Sequence, residues 1–165
     1  MGPFTIADLR FTFTAYFYNM LSIEFPAPDF RIKTEDQKDF IFDRLRKKWL
    51  LLTEEEWVRQ NFIQYLIGVK KYPSTSIAQQ KEIVLGELKK RFDILIYDKE
   101  HKPWMMIECK AGHISLDENV LQQILRYNIS VTVQYVVITN GKISFAWQKK
   151  ENELKLIKDL PMISE

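Results

Sequence analysis

The sequence predicts an α/β fold in which helices pack on the faces of one mixed β-sheet. Three observations predict it. A capped helix begins at Thr53, three strand-like runs follow between residues 82 and 110, and a helix-length segment then precedes a β-branched run. A crossover of about a dozen or more residues joins parallel strands, whereas short turns join antiparallel ones. The sheet should therefore contain both kinds of pairing.

Length and composition are those of an ordinary soluble globular domain. The 165 residues are 46% hydrophobic and 28% charged, with a formal net charge of +2. We assign residues 26–165 to one domain and residues 1–25 to an N-terminal arm, with Met20 as an alternative start. The net charge does not by itself indicate a nucleic-acid-binding protein, and basic clusters at residues 44–48 and 89–91 are interpreted as solvated surface.

Cysteine and histidine usage restricts the chemistry. The single cysteine, Cys109, excludes an intramolecular disulfide and fits a reducing compartment, so we expect a cytoplasmic protein. One cysteine and two histidines do not make a zinc ligand set, and any metal would be held by oxygen. The apolar stretch Phe11–Ile23 is too short to span a bilayer, and no membrane partner is expected.

The segment between the arm and the first clear helix is predicted as short strands. Residues 30–52 contain no glycine or proline, and both ends of this segment are strand-like around a polar turn. A short helix is a further expectation at Phe40–Arg46.

The helix that begins at Thr53 has the clearest start signal in the chain. In "TEEE" Thr53 caps the helix and Glu56 reaches back to the amide of the cap, which is a capping box. The buried face is predicted to carry Val58, Phe62, Tyr65 and Leu66, and Pro73 is the expected breaker.

Three strands, a helix and a hairpin should follow. The strands are predicted at Glu82–Leu85, Phe92–Tyr97 and Trp104–Lys110, with turns at Gly86 and at "DKEHKP". The crossover helix is predicted at Asp117–Tyr127. After it, "VTVQYVVIT" and "KISFAWQ" are strands around Asn140–Gly141, the strongest hairpin signal in the chain.

Three charged residues interrupt the apolar strands. Glu108 and Lys110 share one strand face, while Cys109 points to the other. If the preceding turn is symmetric about Glu100 and His101, Asp93 stands opposite Glu108, with Cβ atoms roughly 5 Å apart. Two carboxylates at this distance repel each other, and a bound cation would remove the conflict.

Magnesium (Mg²⁺) suits such a pair, because it prefers hard oxygen ligands and is typically held by one or two carboxylates. Lys110 would then position a water or stabilise charge on a phosphate, and the set would hydrolyse a phosphodiester. Taken alone, the three residues favour a structural alternative. In it, Glu108 and Lys110 form an edge salt bridge, and Asp93 pairs with Arg91.

A family resemblance favours the metal site over this structural alternative. Asp93 followed by "ECK" resembles the PD-(D/E)XK nuclease superfamily. The stretches "LTEEEWVRQNFIQYLI", "KKRFDILIYD", "MMIECKAG", "QQILRYN" and "YVVITNGK" resemble the N-terminal domain of the type I restriction enzyme R subunit, over roughly Met20 to Pro161. The resemblance implies a restriction-endonuclease-like core in a small stand-alone member.

The resemblance also implies roles for individual residues. The carboxylates of Asp93 and Glu108 and the backbone carbonyl of Cys109 would bind Mg²⁺, for which manganese (Mn²⁺) can substitute, and Lys110 would serve the attacking water. A helix glutamate near the metal is either Glu55 or Glu56.

The element "QILRY" is similar to the Q-x-x-x-Y pattern of the RecB-like branch. It places Gln123 and Tyr127 on one helix face, where they would brace the active-site strand or contact the DNA backbone. The alternative is a plain crossover helix with Tyr127 in the core and Gln123 at the surface.

Two functions are therefore expected as alternatives. The first is Mg²⁺-dependent hydrolysis of DNA, with DNA and possible restriction or repair subunits as partners. The second is a non-catalytic DNA- or protein-binding module that retains the nuclease fold. The second is motivated by the modest charge, by the absence of a Walker-type phosphate-binding loop, and by Gln80, where relatives tend to carry glutamate.

Smaller expectations complete the set. Phe92 stands where the superfamily motif has proline. Arg59 and Gln60 would contact phosphate or be solvated. Nucleophilic catalysis by Cys109 with His113 receives little weight, since a buried free cysteine is usually inert.

Overall fold

The computed structural model of the protein describes residues 20–85, 88–128, 131–151 and 153–163. Within these residues the chain forms a mixed six-stranded sheet, a separate three-stranded sheet and two α-helices. The predicted α/β class with a mixed sheet is confirmed. No helix in this part of the chain is long and apolar enough to span a membrane.

The three-stranded sheet, called the small sheet below, precedes the first helix. It consists of β1 (Ile32–Glu35), β2 (Lys38–Asp43) and β3 (Lys48–Leu51), all antiparallel. The predicted helix at Phe40–Arg46 is wrong, because most of this stretch forms the central strand. Ile41 and Asp43 alternate with outward residues and are fully buried, which is the period of a strand.

The first helix, α1 (Glu54–Gly68), begins where the sequence predicts. The Thr53 side chain accepts a hydrogen bond from the Glu56 amide at 3.1 Å. The reciprocal half of the capping box is wrong, since the Glu56 carboxylate binds Arg59 and Gln60 instead. The helix ends at Gly68, ahead of the expected breaker Pro73.

The six-stranded sheet follows a short 3₁₀ turn at Ser74–Ser76. Its strands lie in chain order: β4 (Ile77–Leu85), β5 (Leu88–Tyr97), β6 (Pro103–Cys109), β7 (Tyr135–Thr139), β8 (Ser144–Lys150) and β9 (Glu153–Ile157). All pairings are antiparallel except β6–β7, which α2 (Glu118–Asn128) connects. The parallel crossover is therefore confirmed, whereas β9 was not predicted. The turn predicted at Gly86 lies outside the described residues.

The helices cover opposite faces of this sheet. Val58, Phe62 and Leu66 of α1 pack in one buried cluster with Ile94 and Ile107. A second cluster joins α2 to the other face. It contains Leu121, Leu125, Met106, Val136 and Ile138.

The Asn140–Gly141 hairpin is confirmed, and it lies against α1. Gly141 has φ +83°, a left-handed conformation that glycine adopts without strain. A Cβ at this position would come within 3.0 Å of a Val58 methyl group. The turn therefore needs glycine both for its conformation and for close packing on the helix.

Part of the predicted N-terminal arm packs on the domain. The Leu21 amide donates to the Ser144 carbonyl at 2.8 Å, and the Leu21 side chain is buried. Phe25 contacts the rings of Phe62 and Tyr65 edge-on. Residues 1–19 of the arm lie outside the described residues.

Candidate active site

Asp93 and Glu108 stand at the open end of the β5–β6 hairpin. Ile94 pairs with Ile107 and Leu95 with Met106, and Asp93 and Glu108 are the next residues on the two strands, just beyond the last paired residues. A ladder irregularity between Ile96 and Tyr97 lies on the turn side and leaves this register unchanged. Burial and then the charge of Asp93 raise the pKa of Glu108, so the two carboxylates lie near each other. Their direct opposition stays a prediction.

The Asp93 carboxylate bridges three elements. Its Oδ1 accepts a hydrogen bond from Arg59 Nη2 of α1 at 2.8 Å, and its Oδ2 accepts one from the Cys109 amide of β6 at 2.8 Å. The alternative ion pair of Asp93 with Arg91 is wrong, because Arg91 donates to Gln80 Oε1 at 3.0 Å. Asp93 is thus fixed in position by a helix and by the neighbouring strand.

Glu108 and Lys110 form an ion pair beside Asp93. Lys110 Nζ lies 2.8 Å from Glu108 Oε1. Burial and the nearby charge of Asp93 raise the pKa of Glu108, against the lowering effect of Lys110. Burial alone would lower the pKa of Lys110, but its hydrogen bond and charge interaction with Glu108 outweigh this and raise it. Lys110 therefore keeps its proton at neutral pH.

The two candidate helix glutamates have different surroundings. Glu55 is 43% exposed, contacts Arg59 Nη2 at 3.0 Å and contributes to the raised pKa of Glu108. Glu56 is only 6% exposed and contacts Arg59 and Gln60. Glu55 thus faces the open side of the site and Glu56 faces the interior, while their role toward a cation stays a prediction.

Arg59 is the central cation of the site. Its side chain is 3% exposed, and it contacts the carboxylates of Glu55, Glu56 and Asp93. The prediction that Arg59 and Gln60 are solvated is wrong, because both are buried. Sequence reasoning missed the ion pair with Asp93, although an arginine beside Val58 on the buried side of a helix was a signal for one.

A buried polar network extends from Arg59 into the small sheet. Glu56 bonds Gln60, and Gln60 Nε2 donates to Asp43 Oδ2 at 3.2 Å. Asp43 also accepts bonds from the amides of Leu45 and Arg46, from Gln79 Nε2 and from Arg46 Nε. Burial raises the pKa of Asp43, but the hydrogen bonds and charge of Arg46 outweigh it, and the pKa is lowered.

Arg46 is therefore not the solvated surface residue that its basic cluster predicted. It is 19% exposed, its Nε lies 2.6 Å from Asp43 Oδ2, and its Nη1 donates to Gln80 Oε1 at 2.8 Å. Gln80 acts as a neutral acceptor for Arg46 and Arg91.

The remaining predicted side chains have other surroundings, although the Cys109 amide donates to Asp93. Cys109 is buried in the apolar cluster on the α1 side, and burial followed by the charge of Asp93 raises its thiol pKa well above the ordinary value. His113 lies 2.6 Å from Glu54 and is exposed, so the structure does not join it to the thiol. Gln123 is exposed on α2, and the Tyr127 side chain lies outside the described residues.

A cavity of about 790 Å³ borders the first turn of α1. Its lining includes Glu54 and His113, which neighbour the site in the chain, and the side chains of Phe25, Trp57 and Lys142. The recess has an apolar wall and a lysine at its edge, and Asp93, Glu108 and Lys110 are not among its lining residues.

The donor set fits an oxygen-ligated cation held by few protein ligands. Among the described residues, no group of three or more His, Cys, Asp or Glu side chains is arranged to hold a metal ion. A carboxylate offers about four lone-pair positions, and Asp93 uses two of them toward Arg59 and Cys109. Asp93 and Glu108 fit Mg²⁺, which is typically held by one or two carboxylates and keeps several waters.

The fold and the site define a mixed α/β protein whose central hairpin carries an acidic centre with a lysine. A family model for the type I restriction enzyme R protein N terminus matches residues 54–161, and the chain belongs to this family. The match begins at the first residue of α1 and leaves the small sheet outside. The comparison with curated proteins gave no match. At the family level the role of the chain is restriction-related.

Proposed function

We propose that the protein is a Mg²⁺-dependent deoxyribonuclease of the PD-(D/E)XK type, which hydrolyses phosphodiester bonds in DNA. The proximity of Asp93 and Glu108 at the ends of adjacent strands, with Lys110 paired to Glu108, carries this proposal. Family membership supports it, because the matched region contains all three residues.

The carboxylates of Asp93 and Glu108 would hold the cation, with the backbone carbonyl of Cys109 as a further ligand and Glu55 at its outer side. When bound, Mg²⁺ or Mn²⁺ would polarise the phosphoryl oxygen and lower the pKa of a bound water. Burial raises the pKa of Glu108 most, and the charges of Asp93 and Glu55 raise it further; a cation would neutralise those charges.

Lys110 would act as a donor. Its raised pKa keeps the ammonium charged, so it suits stabilising negative charge on the phosphate or orienting the attacking water. It does not suit removing a proton from that water while Glu108 remains its partner. Arg59 would hold Asp93 in a fixed orientation, since it is buried and cannot itself contact a substrate freely.

A specific observation favours the second candidate, a non-catalytic DNA- or protein-binding module. Arg59 already contacts three carboxylates of the site, Glu55, Glu56 and Asp93. The negative charge is therefore partly balanced without a metal, as a module that retains only the fold would require. Restriction or repair subunits are the proposed partners in either case.

Cleavage tests the first candidate. The purified protein is incubated with plasmid, linear duplex and single-stranded DNA in the presence of Mg²⁺ or Mn²⁺. We expect cleavage that Lys110→Ala abolishes and that Lys102→Ala, at an exposed turn lysine, leaves intact. DNA that stays intact in every condition, or equal cleavage by both variants, would exclude the nuclease.

Calorimetric titration with Mg²⁺ separates the two candidates independently of any substrate. A catalytic site should bind the ion and lose it in Asp93→Asn. A binding module has no need of the ion, so the absence of binding to the wild-type protein would favour the second candidate.

A further inference from the structure

On one side of the small sheet Ile41 and Asp43 are buried, and the other side has an unusual composition. Lys33 pairs with Phe40, Phe42 with Trp49, and Phe40 with Leu51, so these side chains project to the same side. Arg31 lies two residues before Lys33, and its carbonyl accepts the Phe42 amide, which extends the ladder. We call this side the outer face; it carries Arg31, Lys33, Phe40, Phe42, Trp49 and Leu51.

Cations lie directly over the aromatic rings of the outer face. The Arg31 guanidinium carbon is 4.6 Å from the centroid of Phe42 and 5.5 Å from that of Trp49. Lys33 Nζ is 5.0 Å from the Trp49 centroid, and the Phe42 and Trp49 rings are 5.3 Å apart. The rings are only partly buried, and Leu51 beside them is 48% exposed.

The charge of the outer face is positive. Glu35 and Lys38, which oppose each other in the register, share this side with Arg31 and Lys33. The face therefore carries three basic side chains and one acidic one, and the acidic one, Glu35, is already paired with Lys33 at 2.7 Å. An anionic partner would meet an excess of cations there.

We propose that the outer face of the small sheet binds single-stranded nucleic acid, with bases stacked on Trp49 and on the Arg31–Phe42 pair. Open β-sheets with aromatic side chains bind single strands because unstacked bases can lie flat on them, while cations contact the phosphates. Duplex DNA fits poorly, because its bases are already stacked inside the helix. Three strands about 4.8 Å apart give room for two or three bases.

The opposite side of the small sheet fixes this face relative to the candidate active site. Ile41 and Asp43 are fully buried, and Asp43 connects through Gln60 and Glu56 to Arg59. The small sheet is therefore held rigidly beside α1, although it lies outside the family match. The binding proposal concerns a different surface from the metal site and does not depend on cleavage.

Fluorescence anisotropy with the full chain tests the proposal in EDTA, so that neither metal binding nor cleavage contributes. The probes are labelled oligo(dT) of about 15 nucleotides and a duplex of the same length. We expect tighter binding of the single strand, weakening with salt, and quenching of Trp49 emission by stacked bases. Trp49→Leu and Arg31→Gln should each lower the affinity about tenfold.

Two control variants make the same chemical changes elsewhere. Arg44→Gln removes an exposed arginine that pairs with Asp29, and Trp57→Leu replaces a partly exposed tryptophan of α1. Both should bind oligo(dT) like the wild type. Equal binding by Arg31→Gln and Arg44→Gln, preference for the duplex, or no binding to either probe would overturn the proposal; the last result would indicate a protein partner for this face.

Discussion

Arg59 and Asp93, which are 34 positions apart in the chain, form an ion pair with Nη2 of Arg59 2.8 Å from Oδ1 of Asp93. The pair joins α1 to β5 close to Glu108. It explains how the hairpin accommodates two neighbouring carboxylates, because a buried guanidinium balances the charge of one of them. The same guanidinium also contacts Glu55 and Glu56, so one residue balances most of the acidic charge.

Replacing this guanidinium should be costly. Removing one partner of a buried ion pair leaves an uncompensated charge, which typically costs about 3–5 kcal/mol. We expect Arg59→Leu to lower the free energy of unfolding by about this amount in urea titrations with EDTA. Arg44→Leu, which breaks an exposed pair with Asp29, should cost less than about 1 kcal/mol. Equal losses in the two variants would contradict the central role of Arg59.

The raised pKa of Glu108 predicts a pH dependence with a definite sign. The folded protein holds the Glu108 proton more tightly than the unfolded chain does, so this residue stabilises the fold less as pH rises from its ordinary pKa of 4.5 through the raised value. The stability of the wild type minus that of Glu108→Gln should therefore decrease with rising pH in this window and be constant above it.

Urea titrations from about pH 4.5 to 8 measure this difference. Asp43 does not affect this comparison, because its pKa is lowered from 3.8. Its contribution to the free energy of unfolding is therefore lost only below pH 3.8. Lys110 stays charged throughout the range. A difference that increases with pH would show that Glu108 is held in its ionised form instead.

The buried network predicts that the small sheet depends on Asp43. The groups that contact the Asp43 carboxylate are hydrogen-bond donors, among them Arg46 Nε and Gln60 Nε2. In Asp43→Asn an amide group would replace this carboxylate. The amide nitrogen would face another donor, and the loss should be about 2–3 kcal/mol. Hydrogen exchange should then accelerate across residues 32–51 and in the first turn of α1, while the core strands β6 and β7 remain protected.

Asp39→Asn is the matched control, since Asp39 lies on the same strand and its exposed side chain accepts a hydrogen bond from Thr34 Oγ1 at 2.6 Å. It should leave the exchange pattern unchanged. Uniform acceleration over the whole chain in Asp43→Asn would mean that the small sheet does not open as a separate unit.

Local patterns explain why the core of the site was predictable. The proximity of Asp93 and Glu108 follows from a hairpin whose two strands are adjacent in sequence, and the helix start follows from the cap at Thr53. The parallel β6–β7 pairing follows from the length of the crossover. Each of these depends on residues close together in the chain, which is the information that a sequence pattern carries directly.

The remainder depends on contacts between distant segments. The short helix expected at Phe40–Arg46 depends on local sequence alone, whereas pairing with β1 and β3 makes residues 40–43 a strand. Asp93 is a partner of Arg59, and Gln79 is a partner of Asp43. In each pair the two residues are more than thirty positions apart in the chain. No spacing rule within one element identifies such pairs, although a buried polar residue generally requires a hydrogen-bond partner.

The two helix glutamates should separate by experiment, because their burial differs. Glu56 is 6% exposed and bonds Gln60 and Arg59, so Glu56→Gln should lower the free energy of unfolding by about 2 kcal/mol. Glu55 is 43% exposed and pairs with Arg59, and Glu55→Gln should lower the free energy of unfolding by less than about 1 kcal/mol.

Glu55→Gln also tests the role of Glu55 toward the cation. If the nuclease proposal holds, this variant should weaken Mg²⁺ binding and cleavage about tenfold, as loss of an outer-sphere partner does. Urea titration, calorimetry and plasmid cleavage on both variants give the comparison, and a Glu55→Gln variant with unchanged Mg²⁺ affinity and cleavage would remove Glu55 from the site.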